Sequence, residues 1–453
     1  MKTNKRIVAM LLCVLMLLSI QAVSMAEEGL TGKLRIAVWS IPDVDTIDPV
    51  TNTTRKGVIN LINQWAAENP GVSIVNIQAI PQDGWQQKVQ TLLLSGEVDV
   101  LYASIYDNYA QGLVYNLKNL LDRDRPDFWD QYVEGTKYTE RVSFNDDNII
   151  GLPADLSANT LAYDKTILEQ WGVEPLKDNP TPEEIYEVIS KCTGINPVTG
   201  KQNYGLYIDV AGYQSNYSLD ELNEGFSIGT FNRLDYSQSV IEINTPENVS
   251  KVKNWIRYLA YLHPGATTGT GIEKWGTEEN DIAVYMRATA VKSEVLKQTK
   301  LYDRFIYTKG VYAADNTCAY NAPMTWCIAS SIADENLEAA WSLIQYLSGY
   351  EGQKFFFEEY GALPSLKNAD FVENSEDPFA QNVLSKMLAA VSKPARNQFF
   401  PPVLLKSFRP WLNEVVARTL DGETIDVEEE MAACQQAGEV WRSEQLPLDF
   451  FLQ

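Results

Sequence analysis

LRIAVW (Leu34–Trp39), VSIVNI (Val72–Ile77) and VDVLY (Val98–Tyr102) are short apolar runs, each of strand length, and helical periodicity fills the stretches between them. In the first interval Val58, Leu61, Ile62 and Trp65 recur at helical spacing; in the second Trp85, Val89, Leu92 and Leu93 do the same. Asn69-Pro70-Gly71 ends the first helix and Gly96 the second. Strands alternating with amphipathic helices predict a mostly parallel sheet covered by helices, an α/β fold.

The rest of the chain keeps this character with stronger helix starts. Thr181-Pro182-Glu183-Glu184 reads as a capping box with proline at the first helical position, and Ile185, Val188, Ile189 and Cys192 form the stripe behind it. Thr245-Pro246-Glu247 opens a helix with Val249, Val252 and Ile256 inward. Asp334 is expected to cap a helix carrying Leu337, Ala340, Trp341, Ile344 and Leu347, and Asp426 with Glu429 a last one carrying Val427, Met431, Cys434 and Trp441. A chain of 453 residues exceeds one ordinary domain. No repeat and no flexible linker interrupts it, so two domains would be joined by crossing segments.

The N-terminus has the order of a secretion signal. Lys2, Lys5 and Arg6 precede an apolar run from Ile7 to Ile20, and Ser24-Met25-Ala26 offers small residues for cleavage after Ala26. Cys13 lies inside that run without the small residue a lipid-attachment site wants. No other stretch approaches the roughly 20 apolar residues of a spanning helix. The net charge of −23, more negative still once the N-terminal cations are removed, disfavours nucleic acid and anionic membranes. Beyond the signal remain Cys192, Cys318, Cys327 and Cys434. Cys318 and Cys327 are near enough in sequence to pair across a hairpin. With a single histidine and no cysteine cluster, neither a metal site nor a cofactor is expected.

Catalytic patterns are weak. Gly225-Phe226-Ser227-Ile228-Gly229 matches GxSxG, but the preceding Ser215–Glu224 is polar where a nucleophile elbow needs a buried strand. The one available base, His263, stands before Pro264-Gly265 and reads as a residue at a helix C-terminus, where the dipole favours a cation. Gly194–Lys201 has the wrong spacing for a phosphate loop. Asp122, Asp124, Asp127 and Asp130 lack the glycine and terminal glutamate of a calcium loop. Aromatic richness is the stronger signal: 11 Trp, 23 Tyr and 15 Phe offer rings on which the C–H faces of sugars can pack. Trp39 ends the first strand and Tyr106-Asp107 follow the third, at the carboxyl ends where open α/β sheets bind ligands.

Four stretches in order carry a resemblance: Trp65–Ile77 (WAAENPGVSIVNI); Leu92–Ser104 (LLLSGEVDVLYAS), with a small-Gly-x-x-Asp turn; Gly151-Leu152-Pro153 followed by Asn159–Asp164 (NTLAYD), Gly172-Val173 and the Thr181 cap; and Asn336–Pro364. Over almost its whole length after the signal, the chain resembles the extracellular solute-binding proteins of ABC sugar importers, the family of maltose-binding protein. The resemblance implies a two-domain, type II periplasmic-binding-protein fold with the ligand cleft between domains. Its boundaries would be a signal at 1–26, a first domain of 27–156 plus 326–365, and a second of 157–325 plus 366–453. Crossing segments would lie near Asp155–Asn159, near Met324–Ile328 and after Pro364.

The same resemblance assigns Trp39, Tyr106, Asp107 and Asp155 to the first wall of the cleft and its crossing. It assigns Tyr213, Trp275, Arg287, Trp326 and Trp411 to the second. Asn280–Met286 would feed the cleft ahead of Arg287, although the family's usual Gly-Lys-Ala-Ala-Met is altered there. The implied protein is an exported monomer, periplasmic or at the cell surface. It captures a carbohydrate by hinge closure, delivers it to an ABC permease, and catalyses nothing. The alternatives are a receptor of the same fold for a polyamine, peptide or metal chelate, and a secreted hydrolase using paired carboxylates or Ser227.

Overall fold

Residues 29–445 are described by the computed structural model, except 49–51, 104–107, 110, 140, 157–158, 212–213, 233–234, 320–322, 397–400 and 402. The expected signal and its cleavage point lie outside the described residues. The elements that position the site run as follows: β1 (Gly32–Trp39), α1 (Val58–Glu68), β2 (Val72–Ile80), α2 (Trp85–Ser95), β3 (Val100–Tyr102), β4 (Leu152–Pro153), β5 (Asn159–Asp164), α3 (Pro182–Lys191), β6 (Gly194–Ile195), β7 (Gln202–Ile208), α4 (Ser215–Glu221), α5 (Pro246–Leu259), β8 (Ile282–Thr289), β9 (Phe305–Tyr307), β10 (Thr325–Ile328), α6 (Asp334–Ser348), α7 (Tyr350–Tyr360), α8 (Arg409–Leu420) and α9 (Val427–Ser443).

These strands make two five-stranded sheets, one per lobe, in the orders β2-β1-β3-β10-β4 and β6-β7-β8-β5-β9. In the first, β2 and β3 both run parallel to β1, and β10 runs antiparallel to β3. In the second, β7 and β8 are parallel and β5 lies antiparallel to β8. Each lobe buries its own apolar core, one around Ile36, Ile62 and Trp341, the other around Ile189, Tyr285 and Val416. The expected α/β architecture in two lobes is what the chain adopts.

One carboxylate clasps each sheet. Asp99, the last residue of the small-Gly-x-x-Asp turn, is fully buried and takes the Arg35 guanidinium at 2.7 and 2.9 Å and the Arg35 backbone N–H at 2.8 Å. It thereby ties the entry of β3 to β1. Gly96 makes that turn possible, closing α2 at φ 64°, where a side chain would be strained. In the second lobe Asp164 at the end of β5 accepts the backbone N–H groups of Thr166 and Ile167, the Asn280 amide and the Arg304 guanidinium. Buried charges survive only when paired and hydrogen-bonded in this way.

The caps behave largely as read. Thr181 and Glu184 form the full capping box, worth roughly 1 kcal/mol, and Thr245 and Asp426 each accept an N–H from the first turn. Asp334 does not cap α6. The N-cap is Ala333, and Asp334 lies in the first turn, where its charge meets the positive end of the helix dipole. His263 lies beyond the end of α5 and acts as an N-cap instead: its Nδ1 accepts the Gly265 N–H at 2.9 Å, and burial lowers its pKa. A neutral cap, not a helix-end cation, is the corrected reading. Cys318 and Cys327 are both free, with Cys327 sealed inside β10 and the Cys318 thiol turned to the Lys393 carbonyl, so the hairpin pairing is not formed.

Among the described residues the chain passes between the sheets three times. It leaves β4 after Pro153 and enters β5 at Asn159; it leaves β9 after Tyr307 and returns at Thr325; and it leaves α7 for Phe371, which packs in the second core. Thr325–Ile328 is a strand of the first sheet paired with Val100–Tyr102, so the second crossing lies upstream of the expected Met324–Ile328. The first and third crossings touch each other through a bridge between Leu156 and Leu363. No helix among the described residues is long and apolar enough to cross a membrane.

Candidate functional site

The strand directions decide which edges face the crossings. β10 begins beside the end of β3, with Trp326 opposite Tyr102, and β5 begins beside the end of β8, with Asn159 opposite Thr289. The carboxyl ends of the parallel strands in both sheets therefore look toward the segments joining the lobes. That is the edge where an open α/β sheet receives its ligand.

On the first lobe this edge is aromatic. Trp39, the last residue of β1, is half-buried and stacks on Trp85 with ring centroids 4.2 Å apart and planes at 23°. Trp85 is the first residue of α2, directly after Gly84 at φ 66°, which turns the chain so that the helix starts at the strand end. The Trp39 Nε1 is buried and has no hydrogen-bond partner among the described residues. Tyr109 and Phe144, also half-buried, form a second ring pair 5.2 Å apart packed on the same small core as the two tryptophans.

Asp155 stands on the first crossing. Its Oδ1 accepts the Met324 backbone N–H at 2.6 Å and its Oδ2 accepts the Tyr102 hydroxyl at 3.2 Å. Burial pushes its pKa up to about 6, against the opposing pull of the Met324 N–H, the Arg141 charge and the Tyr102 hydroxyl. The Arg141 guanidinium lies 3.1 Å from the Met324 sulfur. Among the described residues, one side chain thus joins the end of β3, the first crossing and the start of β10.

The second lobe presents sealed charges. Arg287, 3% exposed, sits in the irregular register of β8 at φ 59°, a conformation rare for a non-glycine residue. Its guanidinium binds Glu221 at 2.6 Å and Gln214 at 3.1 Å and covers the Tyr217 ring at 4.6 Å. Beside it Arg396 binds Asp220 at 2.6 Å. Burial raises the Asp220 pKa despite that arginine. Between the two pairs lies a cavity of about 20 Å³, lined by Asn159, Arg287, Cys318 and Arg396 among others, room for about one water.

Three of the expected wall residues are core. Trp275 is 0% exposed and donates its indole N–H to the Tyr307 hydroxyl at 2.9 Å, packed on Tyr285 and Phe305. Trp326 is equally sealed, between Tyr102 and Phe356. Trp411 is 8% exposed, packed on Phe408 with its N–H on Glu430 at 2.8 Å. No ligand can stack on rings so placed, and their assignment to the second wall is corrected. Tyr106, Asp107 and Tyr213 lie outside the described residues. Trp39, Asp155 and Arg287 do reach the edges that face the crossings. The sequence reading missed Trp85, taking it for one of a buried helical stripe. Its position just after a glycine, at the amino end of a helix that follows a parallel strand, was the available signal.

The catalytic-looking motif falls apart. The Ser227 hydroxyl donates to the Gly229 carbonyl on an exposed loop, and His263 is engaged as a cap. Among the described residues no group of three or more His, Cys, Asp or Glu is placed to hold a metal.

Residues 60–383 match the family described as bacterial extracellular solute-binding protein. No curated protein matches the sequence. Among solved structures, an ABC substrate-binding protein of Listeria monocytogenes in complex with cycloalternan is similar at 15% identity and TM-score 0.63, covering 91% of this chain and 99% of its own. A maltose-bound protein of T. maritima is similar at 15% identity and TM-score 0.62, covering 90% and 99%. A solute-binding protein of Agrobacterium vitis with bound D-mannitol is similar at 17% and TM-score 0.59, covering 91% and 99%. These likenesses establish the type II fold.

Proposed function

The chain belongs to the bacterial extracellular solute-binding proteins, and from that premise we propose that it is an exported receptor for a carbohydrate. It takes the ligand between its lobes, closes on it, and passes it to the permease of an ABC importer. The stacked indoles of Trp39 and Trp85 at the carboxyl edge of the first sheet carry this reading. They offer an apolar face at the strand end. A sugar presents a C–H face that packs on such rings. Asp155 adds an acceptor for hydroxyl donors. The similar proteins bound to cycloalternan, maltose and D-mannitol carry neutral polyhydroxylated ligands, which suits this pairing. Binding and closure, without turnover, account for the site.

The reading assigns residues 27–156 with 326–365 to one lobe and the remainder after the signal to the other, working as a monomer. Ligand that bridges both lobes shifts the open–closed equilibrium by its preference for the closed form.

Thermal unfolding against a panel of mono- and oligosaccharides, with polyamines as controls, tests the proposal. A ligand at about 100 times its dissociation constant adds about 2.7 kcal/mol to a native state that alone binds it. The expected result is a rise in midpoint with one sugar family, lost in Trp39→Ala. A shift with polyamines and with no sugar overturns the carbohydrate reading.

A further inference from the structure

Each parallel strand of the first sheet delivers an aromatic side chain at or beyond its carboxyl end. β1 ends on Trp39, β2 leads to Trp85 at the start of α2, and β3 leads to Tyr109. β1 lies between β2 and β3, and neighbouring strands stand about 4.8 Å apart. Phe144 joins the row from the hairpin of Ser143–Asn145 and Asn148–Ile149. Its ring packs on Tyr109 at 5.2 Å, and the Tyr109 hydroxyl donates to Asn148 of the same hairpin at 2.5 Å.

All four rings pack on one small core that takes Ala37 from β1, Leu101 from β3 and Cys327 from β10, so they share one face of the sheet. The two pairs are also tied to each other. The Gln90 amide of α2 donates to Gln111, just past Tyr109, at 2.9 Å. Both glutamines are neutral and can donate to hydroxyls as well as accept from them. Each of the four rings keeps part of its surface in solvent. The Tyr109 pair stands nearer the crossings, because β3 neighbours β10 and Arg141, on the segment leading to Phe144, lies 3.1 Å from the Met324 sulfur. Two ring pairs over successive strand ends make a strip longer than one pyranose, running from the outer strands toward the segments that join the lobes.

We propose that the first lobe selects its ligand by length: an oligosaccharide lies along this strip, one unit on Trp39 and Trp85 and a later unit on Tyr109 and Phe144. This rests on the carbohydrate reading above and deepens it. Tyr109 and Phe144 are then specificity-determining residues, adding affinity only for a sugar long enough to reach them.

Calorimetric titration of the full chain with glucose, xylose, mannose and galactose, each beside its di-, tri- and tetrasaccharides, tests this. In one series affinity is expected to rise at least about tenfold from mono- to trisaccharide, the gain one further aromatic contact supplies. Phe144→Leu keeps an apolar side chain and removes the ring. It should cut that gain about fivefold or more while the ligand-free unfolding midpoint stays near the parent's. Tyr109→Leu should give the same pattern, whereas Trp39→Ala weakens every length. Affinity independent of length in the unaltered chain overturns the proposal and leaves the carbohydrate reading standing. So does a gain with length that survives in both leucine variants, or a loss in them that is equal at every length. Failure of every sugar to bind overturns both.

Discussion

The two lobes are each built on a five-stranded sheet and differ in what they place at the edge that faces the crossings. The first lobe shows half-exposed rings, Trp39 on Trp85 and Tyr109 on Phe144. The second holds Trp275 and Trp411 in its core and places the ion pairs of Arg287 with Glu221 and Arg396 with Asp220 around a small cavity. Stacking surface tolerates ligands of varied linkage, while fixed charges hold a wall in one shape. Under the proposed function, the first lobe would grip the ligand and the second would supply a rigid counterface.

The comparison breaks most easily at Arg396. Asp220 is 1% exposed, so Arg396→Ala would strand a buried carboxylate, at about 3–5 kcal/mol. Asp220 then relieves itself by taking a proton. The loss, measured by denaturant unfolding, is therefore expected to shrink as pH falls through the raised Asp220 pKa. A pH-independent loss would mean that the pair serves packing and not charge. Trp275→Ala should cost a similar ~3–5 kcal/mol by leaving a cavity among Tyr285, Phe305 and Tyr307. Trp39→Ala sharpens the contrast. Its ring is half-solvated already, so stability should fall by about 1 kcal/mol, while sugar affinity drops at least about tenfold. Calorimetric titration beside thermal unfolding separates these outcomes. Equal losses of stability in the two tryptophan variants would erase the distinction between the walls.

That contrast also marks what could be read from the residues alone. The β1-α1-β2-α2-β3 alternation was legible because periodicity reports local burial, and Thr181-Pro182-Glu183-Glu184 because a capping box is closed within one turn. Trp39 could be placed because its site is set by the end of a strand. Trp275, Trp326 and Trp411 could not, since an indole has the same sequence signature in a core as on a ligand platform. Their fate was settled by Tyr307, Phe356 and Glu430, residues distant in sequence. His263 was misread for a related reason: α5 ends at Leu259, and the histidine caps the turn that follows. The second crossing was placed late because Trp326 pairs across the sheet with Tyr102, a register invisible without the other strand.

The smallest expected effect lies where the lobes touch by charge. Arg55, on the hairpin strand Thr54–Arg55 of the first lobe, reaches Glu294 of the second at 3.4 Å. Each partner has a second companion within its own lobe: Asp48 holds Arg55, and Lys297 lies 3.1 Å from Glu294. Opening would leave neither charge stranded, so the contact can be made and broken at little cost. A partly exposed pair of this kind contributes about 0.2–1 kcal/mol, and less in high salt. Glu294→Gln should therefore leave global unfolding within about 0.5 kcal/mol of the parent. Affinity for the ligand of the proposed cleft should weaken by no more than about fivefold, with the same small change produced by salt in the unaltered chain. A double-mutant cycle with Arg55→Ala measures the coupling. A value above about 2 kcal/mol would make this pair a principal fastening between the lobes.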